Sequence, residues 1–153
     1  MSPSPMRRGR ALGIDLGSRR IGIAVSDSAG TMALPRTTVA RTKDLDADRR
    51  RLVSLAVEEE AVVVVVGLPL SLDGSHGPAA VAATQEADQL RPMLEEHGIE
   101  LELFDERLTT VSAHQALASG GASERDRRKI VDQTAAAVML AAWLETPLEA
   151  EDR

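Results

Sequence analysis

The sequence predicts an α/β fold: a mixed five-stranded sheet, part antiparallel and part parallel, with helices on both faces. Three observations lead there. In Ala11 to Asp27, ALGIDLGSRRIGIAVSD, two apolar runs, Leu12 to Leu16 and Ile21 to Val25, flank Gly17-Ser18-Arg19-Arg20. That is the spacing of two antiparallel strands joined by a tight turn. Ala61 to Gly67, AVVVVVG, is an unbroken β-branched run of the kind found in parallel strands buried on both faces. Beyond the hairpin, strand-like and helix-like segments alternate, which implies crossover connections and parallel pairing.

Each element follows from its own pattern. Thr31 to Val39 is strand-like but carries Pro35, which suits a third strand at the sheet edge. Asp44 to Glu60 places Leu45, Leu52, Leu55 and Ala56 at helical spacing, with Asp44 or Asp46 able to cap its start. After the valine run comes a glycine- and proline-rich loop, GLPLSLDGSHGP. Ala79 to His97 reads as a second helix, alanine-rich on one side and closed by Gly98, and Ile99 to Phe104 alternates as a fifth strand. Thr109 to Ser119 is expected as a third helix, Gly120 to Arg128 as a mobile polar loop, and Lys129 to Leu144 as a last, largely uncharged helix. Residues 1–10 read as a flexible basic arm, 11–144 as a single domain and 145–153 as an acidic tail.

Composition narrows the chemistry. The 153 residues are 43% hydrophobic, enough for a packed core without a staple. With no cysteine, any metal ligands must be Asp, Glu or His. The N-terminus lacks the apolar core of a secretory signal, and the longest uncharged helical run, Gln133 to Leu144, is short of the roughly 20 residues that span a bilayer. A soluble, cytoplasmic protein without a membrane partner is the expectation. A net charge of −6 argues against nucleic acid taken alone, but the basic residues cluster. They gather at Arg7, Arg8 and Arg10, at Arg19 and Arg20, at Arg49 to Arg51, and at Arg125, Arg127, Arg128 and Lys129. Of the 18 basic residues all but Lys43 and Lys129 are arginine, whose planar fork suits phosphate. The base composition of the gene is the plainer explanation of that excess.

The carboxylates are more telling. Asp15 lies within a strand among apolar residues and glycine, where an ionised side chain needs hydrogen bonds, a cation or a metal to offset its desolvation. It shares strand parity with Ala11 and Gly13, and the facing strand offers Gly22, Ala24 and Ser26, so this sheet face is low. A helix with small side chains can approach such a face closely. The stripe Trp143, Met139, Ala136 of the last helix leads back to Asp132, which could thus reach Asp15. The pair Asp105-Glu106 sits where the fifth strand leaves the sheet, the end at which parallel sheets bind ligands. Three converging carboxylates without histidine or cysteine would make a hard oxygen site for Mg²⁺ or Mn²⁺. Structural roles compete: Asp105 or Glu106 could pair with Arg107 or cap a helix, and Asp132 could cap or pair with Lys129. Gly67-Leu68-Pro69 with Gly74 reads as either a turn or a backbone loop facing phosphate. The histidines, His76, His97 and His114, form no ligand pair.

The motifs GIDLGSRRIGIAVSD (Gly13 to Asp27), GLPLSLDG (Gly67 to Gly74), DERLTT (Asp105 to Thr110) and DQTAAAVML (Asp132 to Leu140) occur in an order that resembles the YqgF/RuvX family. These are Holliday-junction-resolvase-like nucleases of the RNase H-like superfamily. The resemblance implies a sheet in the order 3-2-1-4-5 with strand 2 antiparallel, and a site made of Asp15, Glu106 and Asp132. It favours Glu106 over Asp105, which the residue pattern left open. It also implies nuclease activity on structured nucleic acid, either 5′-end processing of precursor 16S rRNA or resolution of branched DNA. Two Mg²⁺ ions held by the three carboxylates would then serve catalysis, while Arg19, Arg20, Arg107, Arg125, Arg127, Arg128 and Lys129 grip the backbone.

Two other functions compete. Ile14 to Ser18 also looks like the phosphate-binding hairpin of actin-like ATPases and sugar kinases, but one domain cannot supply both walls of their nucleotide cleft. A non-catalytic nucleic-acid module would have little use for three carboxylates. With no Tyr, one Phe and one Trp, recognition should depend on shape and phosphate rather than stacked bases. A homodimer would accompany symmetric cleavage of a DNA junction.

Overall fold

The computed structural model describes residues 9–109 and 135–146. The hairpin forms as expected, from β1 (Arg10–Leu16) and β2 (Arg20–Ser26). Strand β3 (Ala33–Ala40) follows, then helix α1 (Leu45–Glu58), β4 (Ala61–Leu68), α2 (Pro78–Glu95) and β5 (Glu100–Asp105). A single 3-10 turn, Glu106–Leu108, ends β5, and residues 135–144 form a helix. The sheet order is β3-β2-β1-β4-β5, with β2 antiparallel to both neighbours and β4 parallel to β1 and β5. Strand β1 begins at Arg10, within the stretch expected as an arm. The remainder of that arm, the expected third helix beyond Thr109, the loop 120–128, Asp132 and the tail from 147 lie outside the described residues.

Local chemistry sets the element ends. Asp44 caps α1 by accepting a hydrogen bond from the Ala47 amide at 3.0 Å. Leu45, as the first helical residue, faces solvent, while Leu52, Val53 and Ala56 carry the buried stripe. Gly98 takes a left-handed φ of 72° after α2, and the Ile99 amide returns to the Leu94 carbonyl at 3.0 Å, so the chain can reverse into β5. Pro35 sits on the edge strand, where the β2–β3 register shifts between Ile23 and Ala24.

The sheet separates two cores. On one face Leu12, Ile14, Ile21, Ile23, Val64 and Val66 pack under α1 and α2. On the other, Ala11, Ala24, Val63, Val65 and Phe104 pack under Ala136, Ala137, Met139, Leu140 and Trp143 of the 135–144 helix. The valine run thus feeds alternate side chains into both cores, except for exposed Val62 at its start. Among the described residues no helix is long and apolar enough to cross a membrane.

The low face expected around Asp15 is present. Gly13 pairs with Ala24, and Asp15 with Gly22. A Cβ on Gly13 would lie 3.1 Å from the Leu140 Cβ and 3.3 Å from the Ala136 carbonyl oxygen, so the helix rests on bare strand backbone. Trp143 Nε1 donates to Glu102 Oε1 at 2.9 Å and ties the same helix to β5. Replacing Gly13 by leucine should overpack this seam and lower the unfolding free energy by about 1–3 kcal/mol, read as a lower urea midpoint with an unchanged m-value.

Candidate active site

Three parallel strands bring their carboxyl ends together, and the site is built there. Asp15 lies one residue from the end of β1, Gly67 one residue from the end of β4, and Glu106 directly follows β5. Gly13 is level with Val65 and Ile14 with Val66, so the next step of the register brings Asp15 beside Gly67. Gly67 is in turn level with Phe104. Alternation then puts Asp15, Gly67, Phe104 and Glu106 on the face covered by the 135–144 helix.

Gly67 makes the encounter of the two acids possible. A Cβ at this position would lie 2.3 Å from Glu106 Oε2 and 3.0 Å from its Cδ and Cγ. The Glu106 carboxylate therefore lies over the bare backbone of β4, on the way to Asp15. Its pKa is raised from the ordinary 4.5 to about 7, first by burial and then by the negative charges of Asp15 and Asp105. Asp15 itself is half-buried.

Its neighbour Asp105 has a different environment. Asp105 accepts from the Arg107 backbone amide at 2.9 Å, capping the 3-10 turn, and holds the Arg107 guanidinium at 2.7 Å. The hydrogen bond from Arg107 holds its carboxyl below the usual range, against the opposing effect of burial. Of the two acids that the residue pattern left open, Glu106 turns to Asp15, and Asp105 takes the capping and pairing role. Arg107 also donates from Nη1 to the Leu72 carbonyl at 3.2 Å, beside Gly74 with its φ of 87°. It staples the loop after β4 to the end of β5.

The other site candidates are distributed as follows. Arg19 is exposed and Arg20 half-buried on the β1–β2 turn, and Pro69 begins the loop after β4. Gly67, expected as a turn or a phosphate-facing backbone, is a strand residue covered by Glu106. Asp132, Arg125, Arg127, Arg128 and Lys129 lie outside the described residues. Among the described residues no three acids or histidines gather closely enough to hold a metal ion; Asp15 and Glu106 come together as a pair.

Sequence reasoning missed Arg41 and Asp48. Arg41 Nε donates to the Gly17 carbonyl at 2.6 Å, next to the site. Asp48 is buried and accepts from the Thr42 amide and hydroxyl, fixing the link from β3 into α1. Thr42, Asp44 and Asp48 stand close in sequence and could have suggested the second; nothing local could have suggested the first.

Known proteins resemble the chain in both sequence and fold. The model of the family described as "RuvX: Holliday junction resolvase" matches residues 9–146. A "Putative pre-16S rRNA nuclease" of Myxococcus xanthus is 46% identical over 136 residues, covering 89% of this chain and 87% of that protein. One of the same name from Rhodococcus opacus is 47% identical over 141 residues, covering 90% and 78%. Among solved structures, Thermus thermophilus RuvC in complex with a Holliday junction substrate superposes with a TM-score of 0.55 at 14% identity, covering 88% of this chain and 93% of that one. The yeast mitochondrial Holliday junction resolvase Ydc2 gives 0.57 at 12% identity, covering 90% and 78%.

The raised carboxyl has a sign that can be tested. Glu106 binds its proton more tightly in the folded chain than in the unfolded one, so its contribution to stability is full below about pH 4.5 and is lost as pH rises through about 7. Without divalent cations, Glu106→Gln should remove this downward slope, measured as the urea midpoint against pH for both proteins.

Proposed function

The chain belongs to the RuvX family, and on that premise we propose that it is a metal-dependent endonuclease that hydrolyses phosphodiester bonds in structured nucleic acid, most naturally at the 5′ end of precursor 16S rRNA. The observation that carries this reading is the approach of Glu106 to Asp15 across the bare backbone of Gly67. A buried carboxyl whose ionisation is made costlier by a second carboxylate, both with hard oxygen donors, fits a small divalent cation.

Asp15, Glu106 and Asp132 would hold the Mg²⁺ or Mn²⁺. Asp132 is four residues before Ala136, whose carbonyl faces Gly13, and in an unbroken helix that spacing would aim it at the same sheet face. A cation bound there would supply charge neutralisation and Lewis-acid chemistry at the scissile phosphate. The chain's own part is to fix the donors: Asp15 by its pairing with Gly22 of β2 one residue past the last β1–β4 pair, Glu106 by the 3-10 turn that Asp105 caps. Arg19, Arg20, Arg125, Arg127, Arg128 and Lys129 would neutralise backbone phosphates, and Arg107 would offer whatever part of its fork Asp105 leaves accessible. Pro69 and Gly74 would bound the substrate path along the loop after β4. Such an enzyme would act in the cytoplasm, in ribosome assembly.

A second substrate, branched DNA cut by a homodimer, draws on the family's description as a Holliday junction resolvase. Both substrates are separated by one assay. With Mg²⁺ present, precursor 16S rRNA and a four-way DNA junction are offered to wild type and to Asp15→Asn. The expected outcome is cleavage of the RNA, reduced at least ~100-fold by the substitution. Cleavage of the junction alone would transfer the activity to DNA, and cleavage indifferent to Asp15→Asn in a folded protein would refute the site. In the same assay Gly67→Ala should reduce activity, by less than Asp15→Asn does, because its Cβ would push the flexible Glu106 carboxylate aside.

A further inference from the structure

The turn that follows Asp15 is held from outside the hairpin. The β1–β2 ladder has its last pair at Leu16 and Ile21, and within the turn the Gly17 amide donates to the Arg20 carbonyl at 3.0 Å. Arg41, just past the end of β3, supplies two more bonds. Its backbone amide donates to the Arg19 carbonyl at 2.9 Å, and its side-chain Nε to the Gly17 carbonyl at 2.6 Å. The two remaining guanidinium nitrogens, Nη1 and Nη2, donate to Glu86 Oε2 and Oε1 of α2, each at 3.0 Å.

This ion pair is of the kind that fixes geometry. The Arg41 and Glu86 side chains are 16% and 14% exposed, so the forked pairing is shielded from water and salt. Most of the other arginine pairs involve arginines far more exposed: Arg10 and Arg36 to Glu59, and Arg50 to Asp46. Through Arg41, α2 on one face of the sheet is connected to a turn at the site's edge, where Ser18 and Arg19 face solvent. Gly17 leaves the turn little latitude, since a Cβ there would lie 2.4 Å from the Arg20 carbonyl oxygen.

We propose that Arg41 and Glu86 are positioning residues that fix the Gly17–Arg20 turn and thereby set where Arg19 meets the phosphate backbone of a bound nucleic acid. The identity of the ligand rests on the nuclease reading above; the clamp itself does not. Neither residue touches the substrate. Their effect is on how well the turn is preorganised, which belongs to binding and not to the chemical step.

Lysine at position 41 keeps the charge but cannot bridge Gly17 and both Glu86 oxygens, and Glu86→Gln keeps the shape while removing the charge. Each should raise KM for nucleic acid ~3–10-fold and leave kcat within ~2-fold. Hydrogen exchange of the Gly17 amide should accelerate ~10-fold in both variants, while the amides of β4 keep their protection. In an Arg19→Ala background, Arg41→Lys should change KM by less than ~2-fold, because the group being positioned is gone. Unchanged Gly17 exchange, a KM effect that persists without Arg19, or a loss confined to kcat would overturn the proposal. Should the wild type cleave no nucleic acid, the nuclease reading fails, and Gly17 exchange still decides whether Arg41 holds the turn.

Discussion

A helix can approach a sheet only as closely as the side chains between them permit, and two glycines on one sheet face set that limit here. At Gly13 the absent side chain lets the backbone of the 135–144 helix come down onto β1. At Gly67, on the strand beside the edge strand β5, the absent side chain lets Glu106 lie across β4 toward Asp15. The first glycine brings a helix to the site and the second brings a carboxylate. Val63 and Val65, on the same face of β4 but farther from the strand end, pack into the core under that helix. The face therefore changes along its length from apolar packing to an acidic floor, without any change of backbone.

Asp105 and Glu106 show how strongly one step along a chain separates two carboxyl groups of similar chemistry. Asp105 turns outward to Arg107 and is held ionised by it. Glu106 turns inward, has Asp15 and Asp105 as its charged neighbours, and is pushed toward neutrality. The difference is one of strand parity at the end of β5, where Glu102, Phe104 and Glu106 share the covered face. An acid pushed toward neutrality by burial and then by its charged neighbours is poorly stabilised as a bare anion, and a divalent cation is a partner that would reverse the sign of that interaction.

Much of this was legible in the sequence because it depends on local period. The hairpin, the valine strand, the Asp44 cap and the Gly98 reversal are each written in a few adjacent residues. The low face around Asp15 was legible too, since strand parity alone puts Gly13, Gly22 and Ala24 together. Parity could not choose between Asp105 and Glu106, because the choice depends on where β5 ends to within one residue. Gly67 was read as a turn or a phosphate loop, because its role depends on a side chain 39 positions later that reaches it only once β5 has paired with β4. Arg41 was not noticed at all: its partners, Gly17 and Glu86, lie 24 and 45 residues away on two other elements.

The arginines show the same division between what composition suggests and what contacts assign. In the sequence, the clustered arginines of a chain with net negative charge read either as phosphate grips or as a consequence of the gene's base composition. In the folded chain Arg10, Arg36, Arg41, Arg50 and Arg107 all pair with carboxylates, and so do structural work first. Arg41 pays for its burial with bonds that stiffen the turn next to Asp15. On the proposed nuclease reading, phosphate contacts would carry no sequence information, and substrates would be distinguished by the distance between the grips and the carboxylates. On that reading, a turn held by a shielded ion pair would keep that distance constant, and a chain with one Phe, one Trp and no Tyr would select a nucleic acid by shape.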